Sequence, residues 1–155
     1  MPSTTLIVED DPNTPLAINT SSRFDVGRIF ANKFWNAARF ALMNIPAAAE
    51  SVECETLQPA VQWMLHRVII AVDRMNEAFE TYQFNIAVDA MYDVLWRDFC
   101  DWYLEAIKPT IKDDQAGQRV LHTVLDVLCR LIHPVCPFVT EAMWRHIHTV
   151  QAGGV

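Results

Sequence analysis

Five residues near the start of the chain have side chains that bind RNA and a spacing that brings them together. They are Arg28, Asn32, Trp35, Asn36 and Arg39. On a helical wheel at about 100° per residue, all five fall within one face roughly 100° wide. Arginine offers a rigid fork of donors to phosphates or base edges, asparagine pairs a donor with an acceptor, and tryptophan stacks on an unpaired base. The pattern predicts a binding face for single-stranded RNA.

The same residues also have a purely structural interpretation. Trp35 would then pack against a neighbouring helix or the preceding segment, while Arg28 and Arg39 would pair with acids elsewhere in an acid-rich chain. Five residues on one helix are a weak pattern by themselves. Both interpretations stay open on these residues alone.

Other site chemistries have little support in the sequence. Glycine-rich phosphate loops, the nucleophile motif G-x-S-x-G and the zinc motif H-E-x-x-H do not occur in the 155 residues. The five histidines and four cysteines lack the paired spacings of zinc or di-iron ligands. Asp98, Asp101 and Glu105 recur at helical intervals, which is typical of a solvated face. We therefore expect no catalytic residue, no metal and no cofactor in this chain.

Helices must position the candidate face, and the first is the best marked. Ser22-x-x-Asp25 offers a capping box and the next proline is Pro46, which predicts a helix from about 23 to 44. The wheel places its core face opposite the polar residues, and this core face holds Phe30, Phe34, Ala37, Ala38 and Ala41.

Four further helices follow from caps and prolines. The second is expected to be capped by Thr56 and to end near residues 82–83, and the third to be capped by Asn85 and to end at Lys108-Pro109. The fourth is expected to start at Asp113 or Asp114 and to end at His133-Pro134. The fifth is expected to span about 137–148. Apolar residues at helical spacing include Tyr82 in the second helix and Trp102 and Ala106 in the third.

The chain is long enough for one domain and apolar enough to bury a core. It has 155 residues, 52% of them hydrophobic, and apart from a candidate strand at 6–8 no strand pattern occurs. The predicted fold class is an all-α bundle of five helices with mostly up-down connections, comprising a lead-in at 1–22, the domain at 23–149 and a frayed end at 150–155. No signal peptide or membrane span is expected, and four dispersed cysteines favour free thiols in a reducing cytoplasm.

The net charge of −7 is unevenly distributed along the chain. Residues 23–49 contain four basic side chains and one acid, whereas residues 50–114 contain five basic side chains and 13 acids. This distribution disfavours non-specific coating of DNA but suits RNA binding on the first helix. The acid-rich stretch leaves an alternative open, a free-standing acidic helical module that binds a basic protein partner.

Three motifs resemble the anticodon-binding domain of class I aminoacyl-tRNA synthetases. Residues 27–40 read GRIFANKFWNAARF, residues 99–105 read FCDWYLE before Lys108-Pro109, and residues 133–144 read HPVCPFVTEAMW. The first two strings are most similar to the valyl enzymes, and the third is shared more widely with isoleucyl and leucyl relatives. Ile29 and residues 62–67 depart from the family pattern, which puts local contacts there in doubt.

The resemblance implies that the chain binds the anticodon stem-loop of tRNA-Val through Arg28, Asn32, Trp35, Asn36 and Arg39. It further implies that the parent protein is a valine–tRNA ligase whose ATP-dependent catalytic domain lies outside this chain. The HIGH and KMSKS motifs of that catalytic domain have no counterpart here, so the chain alone is expected to lack catalytic activity. The expected partners are tRNA and the catalytic domain of the same polypeptide, without DNA or membrane, and the chain is expected to be a monomer.

Overall fold

Five helices account for nearly all of the chain that the structure describes. The computed structural model describes residues 22–45 and 57–151, and within these ranges no strand is present. Helix α1 spans Ser22–Met43, α2 spans Pro59–Glu80, α4 spans Gln115–Ile132 and α5 spans Pro137–Gln151. Helix α3 is continuous through three segments, Phe84–Tyr92, a π-helical stretch at Asp93–Tyr103, and Leu104–Ile107. The predicted all-α bundle of five helices is confirmed.

Helices α2 and α3 pack antiparallel and are joined by ion pairs along their contact. Arg67 on α2 pairs with Asp98 on α3. Seven residues further along α2, Arg74 pairs with Asp93, which lies five residues before Asp98 on α3. The order of the partners reverses between the helices, as an up-down connection requires. The short link between them supports the same arrangement.

The predicted core face of α1 is confirmed. All five of its apolar residues are buried in one cluster with residues from every other helix. The largest fully buried side chains include Phe34, Phe99, Tyr103 and Met143. Burial of this size is the main favourable contribution to folding, and it fixes which face of α1 remains in water.

Most helix ends lie where the sequence predicts them, but the start of α3 does not. The backbone N–H of Gly117 donates to the Asp114 side chain at 2.8 Å, which confirms that cap. Asn85 is not a cap, because α3 already begins at Phe84. The preceding Tyr82 has a φ of 57° and is 80% exposed, so it turns the chain instead of continuing the apolar face of α2.

The π-helical stretch corrects two further predictions. Asp98, expected on a solvated face, is 3% exposed, and Trp102, expected on the apolar face, is 67% exposed; Ala106 is exposed as well. Hydrogen bonds from i to i+5 need more residues per turn than the 3.6 of an α-helix. Counted from Val94 at about 100° per residue, Trp102 falls near the buried face and Tyr103 opposite it, the reverse of what the structure shows. Asp98 falls on the buried face by the same count, so its burial was missed because acidic side chains usually lie in water.

Several predictions lie outside the described residues. They concern the candidate strand at 6–8, the Thr56 cap, Cys54, and most of the lead-in at 1–22 and of the end at 150–155. Helix α5 does extend to Gln151, beyond its expected end near 148. Cys100, Cys129 and Cys136 are free thiols, and burial raises the pKa of Cys100 and of Cys129 to about 12.

Candidate nucleic-acid interface

Four of the five candidate RNA-binding residues project from the exposed side of α1. Arg28, Asn32, Asn36 and Arg39 are exposed to solvent, as expected from their position opposite the buried face. Helix geometry brings residues three and four apart onto neighbouring positions, so these side chains form one continuous polar surface. The surface offers two guanidinium groups and two amides.

Trp35 occupies a different environment from the other four. Its ring is half-buried, packs against the hydrophobic core and meets the ring of His146 on α5 edge-on at 6.2 Å. Much of the Trp35 side chain is therefore used in a contact between helices, as the structural interpretation predicts. Only the remaining exposed part of the indole is accessible to a ligand.

The two arginines differ in their ionic partners. Nη2 of Arg28 lies 2.9 Å from Oδ1 of Asp25, one turn earlier on α1, and both side chains are largely exposed. Exposed pairs at this spacing contribute little, about 0–1 kcal/mol, so a phosphate can compete for Arg28. Arg39 forms no ion pair within the described part of the chain, which leaves its guanidinium free to bind an anion.

Asn32 and Asn36 also form one wall of a groove between α1 and α3. The groove has a volume of about 530 Å³. Its other lining residues include Lys33 and Phe40 from α1, Trp96 from α3, and Lys108, which directly follows the end of α3. Amides, cations and aromatic rings therefore line one concave surface, which is the combination that recognises unpaired nucleotides.

Both lysines of the groove are held by acids of α3. Nζ of Lys33 lies 2.5 Å from Oδ1 of Asp101, and Nζ of Lys108 bonds to Oε1 of Glu105. Lys33 Nζ also lies 3.7 Å from the centre of the Trp96 ring, a cation–π contact. Asp101 and Glu105 are thus exposed partners of the groove cations.

Trp96 belongs to a stack of three aromatic rings. It lies nearly parallel to Tyr92, with ring centres 5.4 Å apart and an interplanar angle of 11°. Phe30 of α1 stacks on both, at 6.0 Å from Tyr92 and 6.4 Å from Trp96. The stack joins α1 to α3 and fixes the orientation of the indole in the groove wall.

Sequence reasoning did not identify Lys33, Trp96 and Lys108 as site residues. Lys33 lies at about 140° on the wheel, between the polar and core faces, and is one of the basic residues in the positively charged segment. That position was the available signal for a residue at the edge of a groove. Trp96 and Lys108 become neighbours of Lys33 only through the packing of α3, which no local pattern encodes.

A second groove, of about 440 Å³, lies between α4 and α5 and contains the third sequence motif. Its lining includes His133, Thr140 and Trp144. The Thr140 hydroxyl is buried, donates to the carbonyl of Cys136 at 2.8 Å and lies 2.9 Å from Nδ1 of His133. These bonds join the end of α4 to the start of α5, so the motif orders the turn, as its two prolines predict.

Metal and membrane signals are absent from the part of the chain described. Between residues 22 and 45 and between 57 and 151, no three His, Cys, Asp or Glu side chains converge as metal ligands. No helix in the same two ranges combines the length and apolar character needed to cross a bilayer.

Comparison with known proteins identifies similar sequences. Residues 61–153 match the family described as the anticodon-binding domain of tRNA ligase. The chain is 40% identical over 143 residues to a valine–tRNA ligase of Rhodopirellula baltica and 45% identical over 126 residues to one of Thermotoga maritima. These alignments cover 90% and 80% of this chain but only 14% of each relative, so the chain spans about a seventh of their length.

Proposed function

The chain belongs to the family of anticodon-binding domains of tRNA ligases, and on this premise we propose that it binds the anticodon arm of tRNA-Val within a valine–tRNA ligase. The parent protein would use ATP to join valine to the tRNA in a catalytic domain outside this chain. This domain would hold the anticodon arm and thereby help to position the tRNA for that reaction.

The exposed polar face of α1 is the observation that carries the proposal at the level of residues. Arg28 and Arg39 lie on the open surface, where guanidinium groups can meet phosphates of the anticodon loop. Asn32 and Asn36 lie where this surface meets the groove, at a position suited to the edges of unpaired bases. Trp35 contributes the exposed part of its ring beside them.

Charge supports the same face. The segment from 23 to 49 is the most positively charged part of the chain, whereas α3 contains five acids and one arginine. An approaching tRNA is therefore drawn more strongly to α1 than to the rest of the chain. The domain is proposed to act as a single copy, and the free thiols support a reducing setting such as the cytoplasm.

The test replaces both arginines of the polar face. Arg28→Ala combined with Arg39→Ala should weaken binding of an anticodon stem-loop RNA of tRNA-Val and lower the slope of log K against log salt by about 2, because two phosphate contacts are lost. Fluorescence anisotropy across a salt series measures both quantities.

A matched control removes the same charge elsewhere. Arg74→Ala with Arg130→Ala also deletes two exposed arginines, one on α2 and one on α4, and should change binding far less. Equal losses in the two double variants would mean that only net charge matters. Unchanged binding by the Arg28/Arg39 variant would exclude α1 as the RNA-binding face.

A further inference from the structure

We propose that Trp96 is a stacking platform for one unpaired base of the bound RNA, and that Lys33, held by Asp101, covers this platform in the free protein. The inference rests on the proposed function, because it concerns how the same RNA enters the groove beside α1. It assigns a role to three residues that lie outside the polar face of α1.

Lys33 occupies the position that a base would take. Its Nζ is 3.7 Å from the centre of the Trp96 ring, so the ammonium covers the face of the indole that it approaches. The same Nζ is 2.5 Å from Oδ1 of Asp101. The carboxylate therefore fixes the lysine over the ring.

The surroundings suit a nucleotide once Lys33 moves. Tyr92 stacks on the indole and keeps its orientation fixed, so the platform exists before the ligand arrives. Asn32 and Asn36 line the same groove and can bond to the edge of a base, while Lys108 can meet a second phosphate. Aromatic stacking accepts any base, so the amides would supply the discrimination.

Movement of Lys33 away from the Trp96 ring is favourable only for an RNA that offers both a phosphate and an unpaired base. An RNA phosphate can replace Asp101 as the partner of Lys33, because the Asp101 side chain is 49% exposed and the pair is open to solvent on that side. An unpaired base next to that phosphate then gains the ring face that the ammonium leaves. A duplex offers the phosphate but keeps its bases stacked inside. The contact between Lys33 and the Trp96 ring is then lost, and no base replaces the lysine on the ring.

Asp101 is accordingly a specificity-determining residue. With Asp101→Asn, Lys33 is no longer held by a charge and is free to bind any phosphate. We expect duplex RNA to bind several-fold more tightly, with a salt slope larger by about 1, while an anticodon stem-loop gains less. The stem-loop to duplex affinity ratio therefore falls.

The matched control is Asp89→Asn, which removes one exposed acid from α3 away from the groove. It should leave the affinity ratio of the wild type unchanged. If Asp101→Asn and Asp89→Asn have the same effect on both RNAs, the proposal is wrong, because only overall charge is then being measured.

A second measurement alters the RNA. Anticodon stem-loops that each lack one loop base are titrated against the wild type and against Trp96→Phe, chosen because it preserves an aromatic ring at a partly buried position. One abasic position should weaken binding to the wild type and have a smaller effect on the variant, whose platform is smaller. Equal affinity for every abasic RNA and the intact loop overturns the proposal.

The two proposals fail in different ways. If stem-loop binding depends on Arg28 and Arg39 but not on Asp101 or on any loop base, the RNA-binding face stands and the Trp96 platform is rejected. If the wild type does not bind the stem-loop, the proposed function and this inference are both rejected.

Discussion

The buried carboxylate of Asp98 allows a sharp test of how α2 and α3 are held together. Nε of Arg67 donates to Oδ2 of Asp98 at 2.7 Å, and Asp98 is 3% exposed. Arg67→Met removes the guanidinium and keeps an unbranched apolar side chain of similar reach. Among the residues that the structure describes, Asp98 would then retain a single long side-chain contact, with Nε of Arg97 at 3.4 Å.

The expected cost follows from this geometry. Removing one partner of a buried ion pair costs about 3–5 kcal/mol, because the remaining charge is left without compensation. The side chain of Arg67 is 26% exposed, so water already screens the pair, and Arg97 gives some compensation. The estimate is therefore reduced to about 2–4 kcal/mol, which for a domain of this size lowers Tm by roughly 4–16 °C.

Thermal and urea unfolding followed by circular dichroism measure this loss. Arg28→Met is the matched control, since it breaks an exposed pair with Asp25 and should change stability by no more than about 1 kcal/mol. The double variant Arg67→Met with Asp98→Leu should recover part of the loss, because no buried charge remains. A single Arg67 variant as stable as the Arg28 control, or a double variant less stable than the single, would refute the reasoning.

Two further predictions concern α4. A Cβ at Gly117 would clash with Oδ2 of Asp114, so Gly117→Ala should displace the cap and give no gain in stability. In an Asp114→Ala background the same substitution should stabilise the domain by up to about 1 kcal/mol. Equal effects in both backgrounds, measured by urea unfolding, would contradict this coupling. Burial lowers the pKa of His122, so the unfolded chain binds a proton more readily, and stability should fall as pH drops below about 6.5. His122→Gln should flatten this slope in unfolding measured from pH 7 to pH 5, and the slope should survive His66→Gln, which alters an exposed residue.

Local signals predicted the helices well because the boundaries depend on neighbouring residues. Asp114 caps α4, Pro59 lies in the first turn of α2, and His133-Pro134 ends α4, each through a constraint that acts within a few residues. The buried face of α1 was predictable for the same reason, since an uninterrupted α-helix has a fixed period.

The groove could not be predicted, because it depends on which helices meet. Lys33 meets Trp96 and Asp101 only after α1 packs on the π-helical part of α3, more than sixty residues later in the chain. The direction of Trp102 was wrongly predicted because one period was assumed throughout α3, and that of Asp98 because acidic side chains were expected to lie in water. The polar residues of α1 were found, but their division between open surface, groove and interhelical contact required the packed structure.

The π-helical stretch at Asp93–Tyr103 has a consequence for what changes the gene can tolerate. The segment Phe84–Tyr92 packs mainly on α2, whereas the π-helical stretch also packs on α1. The two parts of α3 therefore turn their buried faces in different directions around the helix axis. Removing one codon within the stretch would turn every later side chain about the axis by the rotation of one residue. Trp96 would keep its chemistry but Lys108 would leave the groove. The number of residues between Tyr92 and Leu104 therefore specifies the groove as much as their identities do.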